Sequence, residues 1–267
     1  MRNEAALAWN GGQLLFNNTF NGQSGGAGSG TIDNTGTGTF IASGDGANNT
    51  TTVDDAFNNI GTIDVNSGRL QLNSSFTNQG IVKVDVGTTF QVQNSNFNNQ
   101  GTLEGNGTYQ TLNASTALVN SGTLSPGVGD ICTLTIAGDY TLTSTGIFNV
   151  QLGSLTNFDQ LNVLGDINLA GTLKIESFGG YNPFSGDSFT ITTFDDGMAD
   201  ISDINGLFSN IVATGFEAGV SFTASYFDHS IVLNANRASV VPVPAAVWLF
   251  GSGIIGLLGN SRHKRAN

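Results

Sequence analysis

Basic residues and cysteine are scarce in this chain. Its 267 residues include 8 lysines and arginines against 20 aspartates and glutamates, which gives a formal net charge of −12. Since such a surface repels phosphates, the composition excludes a nucleic-acid partner. The single cysteine, Cys132, excludes an intramolecular disulfide and any metal site built from several thiolates. Its strand-like surroundings predict a small, buried hydrophobic residue.

Charged residues of either sign are also few, at 10% of the chain, against about a quarter in an average protein. The chain is instead rich in glycine (37 residues) and phenylalanine (18 residues), and 39% of its residues are hydrophobic. Regularly spaced phenylalanine and aliphatic residues argue against disorder. The composition therefore predicts a packed β structure with many turns.

The central part of the chain repeats a short motif with a period near 20 residues. The motif is an apolar residue, any residue, asparagine, any residue, glycine, any residue and an aliphatic residue. Its glycines are Gly61, Gly80, Gly101 and Gly122, which are spaced by 19, 21 and 21 residues. An earlier copy is Asn34-Thr-Gly36, 25 residues before Gly61. Periods of this length are typical of stacked structural units.

Between the glycines, apolar and polar residues alternate, as in Ile63-Asp-Val65 and Val82-Lys-Val84-Asp-Val86. Alternation favours strands with one buried face, and no segment before the C-terminal tail has the period of an amphipathic helix. We therefore predict an all-β, right-handed parallel β-helix in which each repeat is one coil. Glycine is expected to supply corner conformations that other residues cannot adopt. The corner asparagines are expected to form an amide ladder between coils.

These patterns divide the chain into three segments. Residues 1–176 are predicted to be β-helix coils, residues 177–240 terminal coils with an aromatic cap, and residues 241–267 a separate C-terminal signal. The first ten residues lack the apolar core of a signal peptide. Because an exported protein needs such a segment, we expect the true N-terminus to lie upstream of Met1.

Several segments of the body resemble the repeats of autotransporter passenger domains. The segments are Ser121-Gly-Thr-Leu-Ser-Pro-Gly127, Leu134-Thr-Ile-Ala-Gly-Asp-Tyr-Thr-Leu142, Phe158–Gly165, Gly171–Ile175 and Gly186–Ile191. The resemblance covers about residues 55–195. It implies a β-helical fold and bears on the fold rather than on the function.

The C-terminal tail combines a chain breaker, an apolar run and a basic end. After two prolines, residues 245–259 carry no charge, and Arg262, Lys264 and Arg265 follow. As a helix, this run would span about 22 Å, which is short for a bilayer core of about 30 Å but workable where the membrane thins. We predict a transmembrane helix with its basic end in the cytoplasm. The body before Pro242 would then lie outside the cytoplasm.

This tail resembles the PEP-CTERM sorting signal of Gram-negative bacteria. The resemblance lies in a Pro-x-Pro motif, the start of the apolar run and the basic cluster, which comprise Val241, Pro242, Val243, Pro244, Ala245, Ala246, Trp248, Leu249, Phe250, Gly251, Arg262, Lys264 and Arg265. Val243 stands in the place of the glutamate that gives the signal its name. The resemblance implies recognition by an exosortase, a membrane-embedded protease that removes or exchanges the tail. It also implies a mature protein on the surface or outside the cells of biofilm-forming, exopolysaccharide-producing bacteria.

Candidate catalytic groups are few. His229 is the only histidine before the tail, and we interpret it as a structural residue of a strand. Adjacent acids occur at Asp54-Asp55 and at Asp195-Asp196, and we interpret them as solvated turn residues. We predict no catalytic residue and no cofactor. An oxygen-rich loop remains a candidate for calcium, with the ligands Asp195, Asp196, Asp200 and Asp203.

The leading hypothesis is a non-enzymatic, exported β-helical protein with a structural or adhesive role in biofilm or exopolysaccharide. The alternative is a carbohydrate-active enzyme, a polysaccharide lyase or hydrolase, on the same scaffold. An enzyme needs a cleft with converging acids, whereas a matrix protein disperses its asparagines and threonines over its faces. A third hypothesis keeps the tail unprocessed as a membrane anchor.

Overall fold

The computed structural model describes residues 30–43, 50–93, 97–112, 116–127, 129–195 and 204–238, together with the backbone of five short strands before residue 25. The whole predicted sorting signal, residues 241–267, lies outside the described residues. Within the described ranges there is no helix, and so none that is long and apolar enough to cross a membrane.

The strands follow one another closely along the chain. The first five are β1 (Arg2–Asn3), β2 (Ala6–Trp9), β3 (Gly12–Leu14), β4 (Thr19–Phe20) and β5 (Gln23–Ser24). The next are β6 (Thr31–Asn34), β7 (Thr39–Ser43), β8 (Thr50–Val53), β9 (Ala56–Asn59), β10 (Thr62–Ser67), β11 (Arg69–Leu72), β12 (Phe76–Asn78), β13 (Ile81–Val84), β14 (Thr89–Val92), β15 (Phe97–Asn99), β16 (Thr102–Gly105), β17 (Thr108–Thr111), β18 (Ala117–Asn120), β19 (Thr123–Pro126), β20 (Thr133–Ala137), β21 (Asp139–Leu142), β22 (Ile147–Leu152), β23 (Gln160–Val163), β24 (Ile167–Leu169), β25 (Thr172–Ser177) and β26 (Ser188–Phe194). The last four are β27 (Ile204–Gly206), β28 (Asn210–Thr214), β29 (Val220–Phe227) and β30 (Ser230–Arg237).

From β6 to β28, every third strand joins the same sheet. In spatial order, sheet A contains β1, β6, β9, β12, β15, β18, β21, β24 and β27. Sheet B contains β2, β7, β10, β13, β16, β19, β22, β25 and β28. Sheet C contains β3, β8, β11, β14, β17, β20, β23, β26, β30 and β29. Strands β9 to β26 thus make six successive turns of three strands each, which confirms the predicted all-β parallel solenoid.

The core consists of side chains that lie directly above one another in successive turns. In sheet B the register places one inward residue of each strand in a single column, which contains Phe40, Ile63, Val82, Leu103, Leu124, Phe148 and Leu173. Each of these side chains is at most 1% exposed. Because a single turn cannot bury its own apolar face, this stacking is what makes each turn stable.

A ladder of buried asparagines runs along the corner between sheets A and B. The Nδ2 atoms of Asn34, Asn59, Asn78 and Asn99 each donate a hydrogen bond to the Oδ1 atom of the next asparagine, at 2.7, 2.7, 2.6 and 2.7 Å. The last member, Asn120, is likewise buried. The predicted amide ladder is therefore present, and it satisfies polar groups that would otherwise be costly to bury.

The repeated glycines follow the ladder, but their role differs from the prediction. None of Gly61, Gly80, Gly101 and Gly122 is among the glycines with a positive φ angle. Instead, a methyl group added at Gly80, Gly101 or Gly122 would overlap the carbonyl oxygen of the glycine one turn earlier. The motif therefore requires glycine because the backbones of successive turns approach closely at this corner.

The last turn is joined to a hairpin formed by β29 and β30. Strand β30 pairs with β26 in the antiparallel direction, whereas the turns before it pair in parallel. The ring of Phe208, which follows β27, lies 6.4 Å from that of Phe148 and 6.2 Å from that of Tyr226, measured between centroids. These contacts connect the hairpin to the apolar core of the preceding turns.

We predict that Asn99→Ala destabilises the solenoid by about 2–4 kcal/mol, because it leaves the buried Nδ2 of Asn78 and the buried Oδ1 of Asn120 without their ladder partner. The measurement is urea unfolding followed by circular dichroism. The control is Asn98→Ala, since Asn98 is the exposed neighbour in the same strand; its effect should stay within about 0.5 kcal/mol. Equal effects of the two substitutions would contradict the role of the ladder.

Candidate functional site

The predicted functional residues are only partly within the described ranges. All thirteen residues of the sorting signal, from Val241 to Arg265, lie outside them, as do Asp196, Asp200 and Asp203 of the candidate calcium loop. Asp195 is described and lies exposed just after β26. Among the described residues, no three His, Cys, Asp or Glu side chains are grouped so that they could hold a metal ion.

The adjacent acids Asp54 and Asp55 have opposite orientations. Asp54 lies on the outer face, where its Oδ1 accepts a hydrogen bond from Nδ2 of Asn73 at 2.6 Å. Asp55 is fully buried, and its Oδ1 accepts the backbone N–H of Gly30 at 2.8 Å. The interpretation of both as solvated turn residues is therefore wrong for Asp55. The two carboxylates do not face a common substrate position.

Two further sequence-based placements differ from the structure. His229 lies in the exposed turn between β29 and β30, not within a strand, because the chain reverses at Asp228 and His229. Cys132 is half-buried rather than buried, since it precedes β20 and borders an open cavity.

The outer face of sheet B carries five of the eight charged residues that lie within strands β6 to β28, namely Asp64, Lys83, Glu104, Lys174 and Glu176. The register places Asp64, Lys83 and Glu104 side by side on successive strands. Nζ of Lys83 lies 3.2 Å from Oδ1 of Asp85 and 4.0 Å from Oδ1 of Asp64. Burial raises the pKa of Asp64 and that of Glu104, while the nearby Lys83 ammonium opposes both shifts. This face is therefore a compact row of alternating charge.

The outer face of sheet C is nearly free of charge. Within the strands β8, β11, β14, β17, β20, β23 and β26, Arg69 is the only charged residue. Gln71, Gln91 and Gln110 lie side by side in register; Gln71 and Gln110 are half-buried, whereas Gln91 is fully buried. Nε2 of Gln71 donates to Oε1 of Gln93 at 2.7 Å. Hydroxyl and amide groups therefore repeat along this face at the strand spacing of about 4.8 Å.

A cavity of about 210 Å³ lies between these two faces, where β16 and β19 end. Its lining includes Lys83, Asp85, Asn106, Asp130 and Cys132. Burial raises the pKa of the Cys132 thiol, and the carboxylates of Asp159 and Asp130 raise it further. Because the thiolate is the reactive form of cysteine, this environment disfavours nucleophilic chemistry at Cys132.

Asp159 is a buried carboxyl group that joins its own turn to the turn before it. Its Oδ1 accepts the backbone N–H of Cys132, and its Oδ2 accepts the backbone N–H of Gln151, both at 2.9 Å. Burial raises its pKa from 3.8 to about 7, although the two backbone hydrogen bonds oppose the shift. Asp159 therefore changes its charge near neutral pH inside the protein.

Sequence reasoning missed the inward position of Asp159 and of Asp55, although the sequence contains a signal for both. Asp159 shares its alternation with the buried residues Leu161 and Val163, and Asp55 shares its alternation with the buried Phe57. Alternating residues of a strand face the same side. Continuing the alternation two residues toward the N-terminus, from Leu161 to Asp159 and from Phe57 to Asp55, predicts that both carboxyl groups face the core.

The turns, the stacked core and the repeated outer faces define this chain as a parallel β-solenoid with polar surfaces. In comparisons with known proteins, the chain matches no family model and no curated protein.

We predict that stability falls as pH rises from 3.8 to about 7. In that window the folded protein keeps the proton of Asp159, whereas the unfolded chain releases it. The contribution of Asp159 to the free energy of unfolding is therefore complete below pH 3.8 and is lost near pH 7. The fall should be roughly 1–4 kcal/mol, measured by urea unfolding across the window. The raised pKa values of Asp64 and Glu104 act in the same direction.

The variant Asp159→Asn should flatten this dependence, because asparagine does not titrate, even though its amide cannot accept both backbone N–H groups. The control is Asp228→Asn, which makes the same substitution at an exposed turn and should keep the wild-type slope. An Asp159→Asn protein with the wild-type pH dependence would show that other groups cause the effect.

Proposed function

We propose that this protein is an exported β-solenoid that an exosortase sorts to the cell surface or the extracellular matrix, where it has a structural or adhesive role in biofilm or exopolysaccharide. The observation that carries the proposal is the tail, in which Pro242 and Pro244 precede the uncharged residues 245–259 and a basic end. Combined with an acidic body, this order is typical of a protein that is delivered through a membrane and held outside the cytoplasm.

The outer faces of the solenoid support a binding role. Sheet C offers the partly exposed Gln71, Gln110 and several threonine side chains with almost no charge, and sheet A offers Asn58, Thr77 and Asn98 in register on its exposed side. Polysaccharides carry many hydroxyl groups, which pair with amides and hydroxyls through individually weak hydrogen bonds. Repetition of such weak contacts along a face would give useful affinity without any single deep site.

The opposite orientation of the adjacent acids Asp54 and Asp55 also supports binding rather than catalysis. Glycoside hydrolysis requires two carboxyl groups that flank one bond. Asp54 lies on the outside and Asp55 is buried inside, so this pair cannot flank one bond. Asp159 is engaged by two backbone N–H groups.

Two finer features belong to the proposal. The solenoid is right-handed, which is the rule for parallel strands connected within the same sheet. Residues 245–259 form a transmembrane helix before processing, with Trp248 near the outer interface and Arg262, Lys264 and Arg265 in the cytoplasm. The span is short, so the basic side chains would extend to the headgroups.

Removal of the tail is tested by measuring the intact mass of the protein recovered from the surface fraction. The chain is expressed behind an export signal in a bacterium that contains an exosortase and in a matched strain that lacks it. We expect loss of the tail only in the first strain, and we expect Pro242→Ala with Pro244→Ala to reduce that loss. Surface protein that still ends at Asn267 in the exosortase-containing strain would refute processing.

The adhesive role is tested by cosedimentation with neutral and acidic polysaccharides, combined with an assay for newly formed chain ends. We expect the protein to sediment with polysaccharide and to release no products. Because dispersed weak contacts carry the binding, Asp195→Ala should leave it unchanged. Depolymerisation that disappears in Asp195→Ala would favour the carbohydrate-active enzyme, and absence of sedimentation with any polysaccharide would refute the adhesive role.

A further inference from the structure

The cavity between sheets B and C results from unequal loop lengths at one corner of the solenoid. The loop from β16 to β17 contains two residues, Asn106 and Gly107, whereas the corresponding loops of the turns before and after contain four residues, 85–88, and six residues, 127–132. A methyl group at Gly107 would overlap the carbonyl oxygen of Asp85, so the short loop lies directly against the preceding turn. It leaves a hollow, the corner cavity, which residues of all three loops line.

The corner cavity is open to solvent. The side chains of Lys83 and Asp85, which line it, are 41% and 38% exposed, and Asp130 is also exposed. Its volume of about 210 Å³ is smaller than that of the pockets, roughly 300–1,000 Å³, that enclose drug-sized ligands. The cavity therefore has room for a single small ring that enters from the surface.

The groups that line the corner cavity carry charges of both signs and both hydrogen-bonding roles. Nζ of Lys83, which only donates, lies 3.2 Å from Oδ1 of Asp85. The carboxylates of Asp85 and Asp130 only accept hydrogen bonds. The amide of Asn106 does both, and it is hydrogen-bonded to the thiol of Cys132. A ligand that matches this set must itself both donate and accept.

Three classes of ligand match this set poorly. An anion would meet the carboxylates of Asp85 and Asp130, and an ammonium group would meet Lys83 without accepting its N–H groups. A metal ion would compete with Lys83 for Asp85, and among the described residues no three acidic, histidine or cysteine side chains are grouped to hold one. Neutral hydroxyl groups, in contrast, donate to carboxylates and accept from ammonium and amide groups.

We propose that the corner cavity binds one neutral sugar residue of a polysaccharide, an inference that rests on the adhesive role proposed above. Hydroxyl groups of the ring donate to Asp85 and Asp130 and accept from Lys83. Strands β14 and β17, which leave this corner, begin with Thr89 and Thr108, side by side on the outer face of sheet C. A polymer held along that face has one residue at the cavity, so the face supplies affinity and the cavity selects neutral sugars.

The first experiment is saturation-transfer NMR of the full chain with glucose, galactose, mannose and N-acetylglucosamine. We expect at least one of these neutral sugars to receive saturation from the protein. Cys132 locates the site, because it is the only cysteine of the chain and lines the cavity. Protein whose Cys132 carries an N-ethylmaleimide adduct should lose most of the signal, since the adduct fills the cavity. An undiminished signal from the blocked protein would overturn the proposed site.

The charge of the sugar tests the assigned chemistry. The uronate and the amino sugar of the binding series share its ring but carry a negative and a positive charge at about pH 6. We expect each to bind at least about threefold more weakly than the neutral sugar. Tighter binding of either charged sugar than of every neutral one would overturn the assignment of a neutral ligand.

The second experiment compares Asp130→Ala with Asp228→Ala. Both substitutions remove an exposed acid, but Asp228 lies in the turn between β29 and β30, away from the cavity. Asp130→Ala should weaken sugar binding at least about fivefold, because it removes a charged hydrogen-bond acceptor. Asp228→Ala should bind as the wild type does, and circular dichroism should be unaltered in both. Equal binding by the two variants would contradict the role of the cavity.

Cosedimentation with polysaccharide separates this proposal from the adhesive role. Sedimentation of a protein that binds no neutral sugar at the cavity would overturn the cavity proposal and leave the adhesive role in place. Binding of a neutral sugar that the blocked protein loses, without sedimentation with any polysaccharide, would refute the adhesive role and support the cavity as a sugar site.

Discussion

A buried side-chain amide needs hydrogen-bond partners for both its nitrogen and its oxygen. In this solenoid, each asparagine of the ladder has at least one such partner in the asparagine of a neighbouring turn. Asn78 accepts a hydrogen bond from Asn59 and donates one to Asn99. A slip of one residue would turn an asparagine to the outer face and leave both neighbours unsatisfied inside. The ladder therefore specifies the register from Asn34 to Asn120, and the apolar columns and the outer faces follow from it.

The ladder ends where the repeat becomes irregular. Nδ2 of Asn120 donates to the hydroxyl of Tyr140 at 3.2 Å, and the asparagine column itself continues with Leu142 and Leu169. In the region that follows, the buried carboxyl group of Asp159 binds two backbone N–H groups. Amides do not titrate, but a carboxyl group with a pKa of about 7 does. The two parts of one solenoid are thus held by buried polar groups that differ in their sensitivity to pH.

The sequence allowed prediction of the parts of this fold that repeat. Regular spacing of the asparagines and glycines indicated the turns and the ladder, because each copy of the motif occupies the same structural position in its turn. The reason for the glycines was not predictable, since only the stacked backbones show that a methyl group at Gly101 would overlap Gly80. Single features were predicted less well: Asp55 and Asp159 were missed, and His229 was assigned to a strand. One occurrence of a residue carries no periodic signal, so its environment depends on contacts that are distant in the chain.

Fixed register also determines what the surface can do. When every turn repeats at about the same strand spacing, an outward side chain is presented as a column rather than as an isolated group. In sheet B the column is charged, with Lys83 between Asp64 and Glu104, whereas in sheet C it is formed by neutral amides, of which Gln91 is fully buried. Extended polymers also repeat, so a column can meet several of their units at once, and many weak contacts then add up. On the proposed adhesive role, the asparagines inside the solenoid act on function indirectly, because they keep the outer columns aligned.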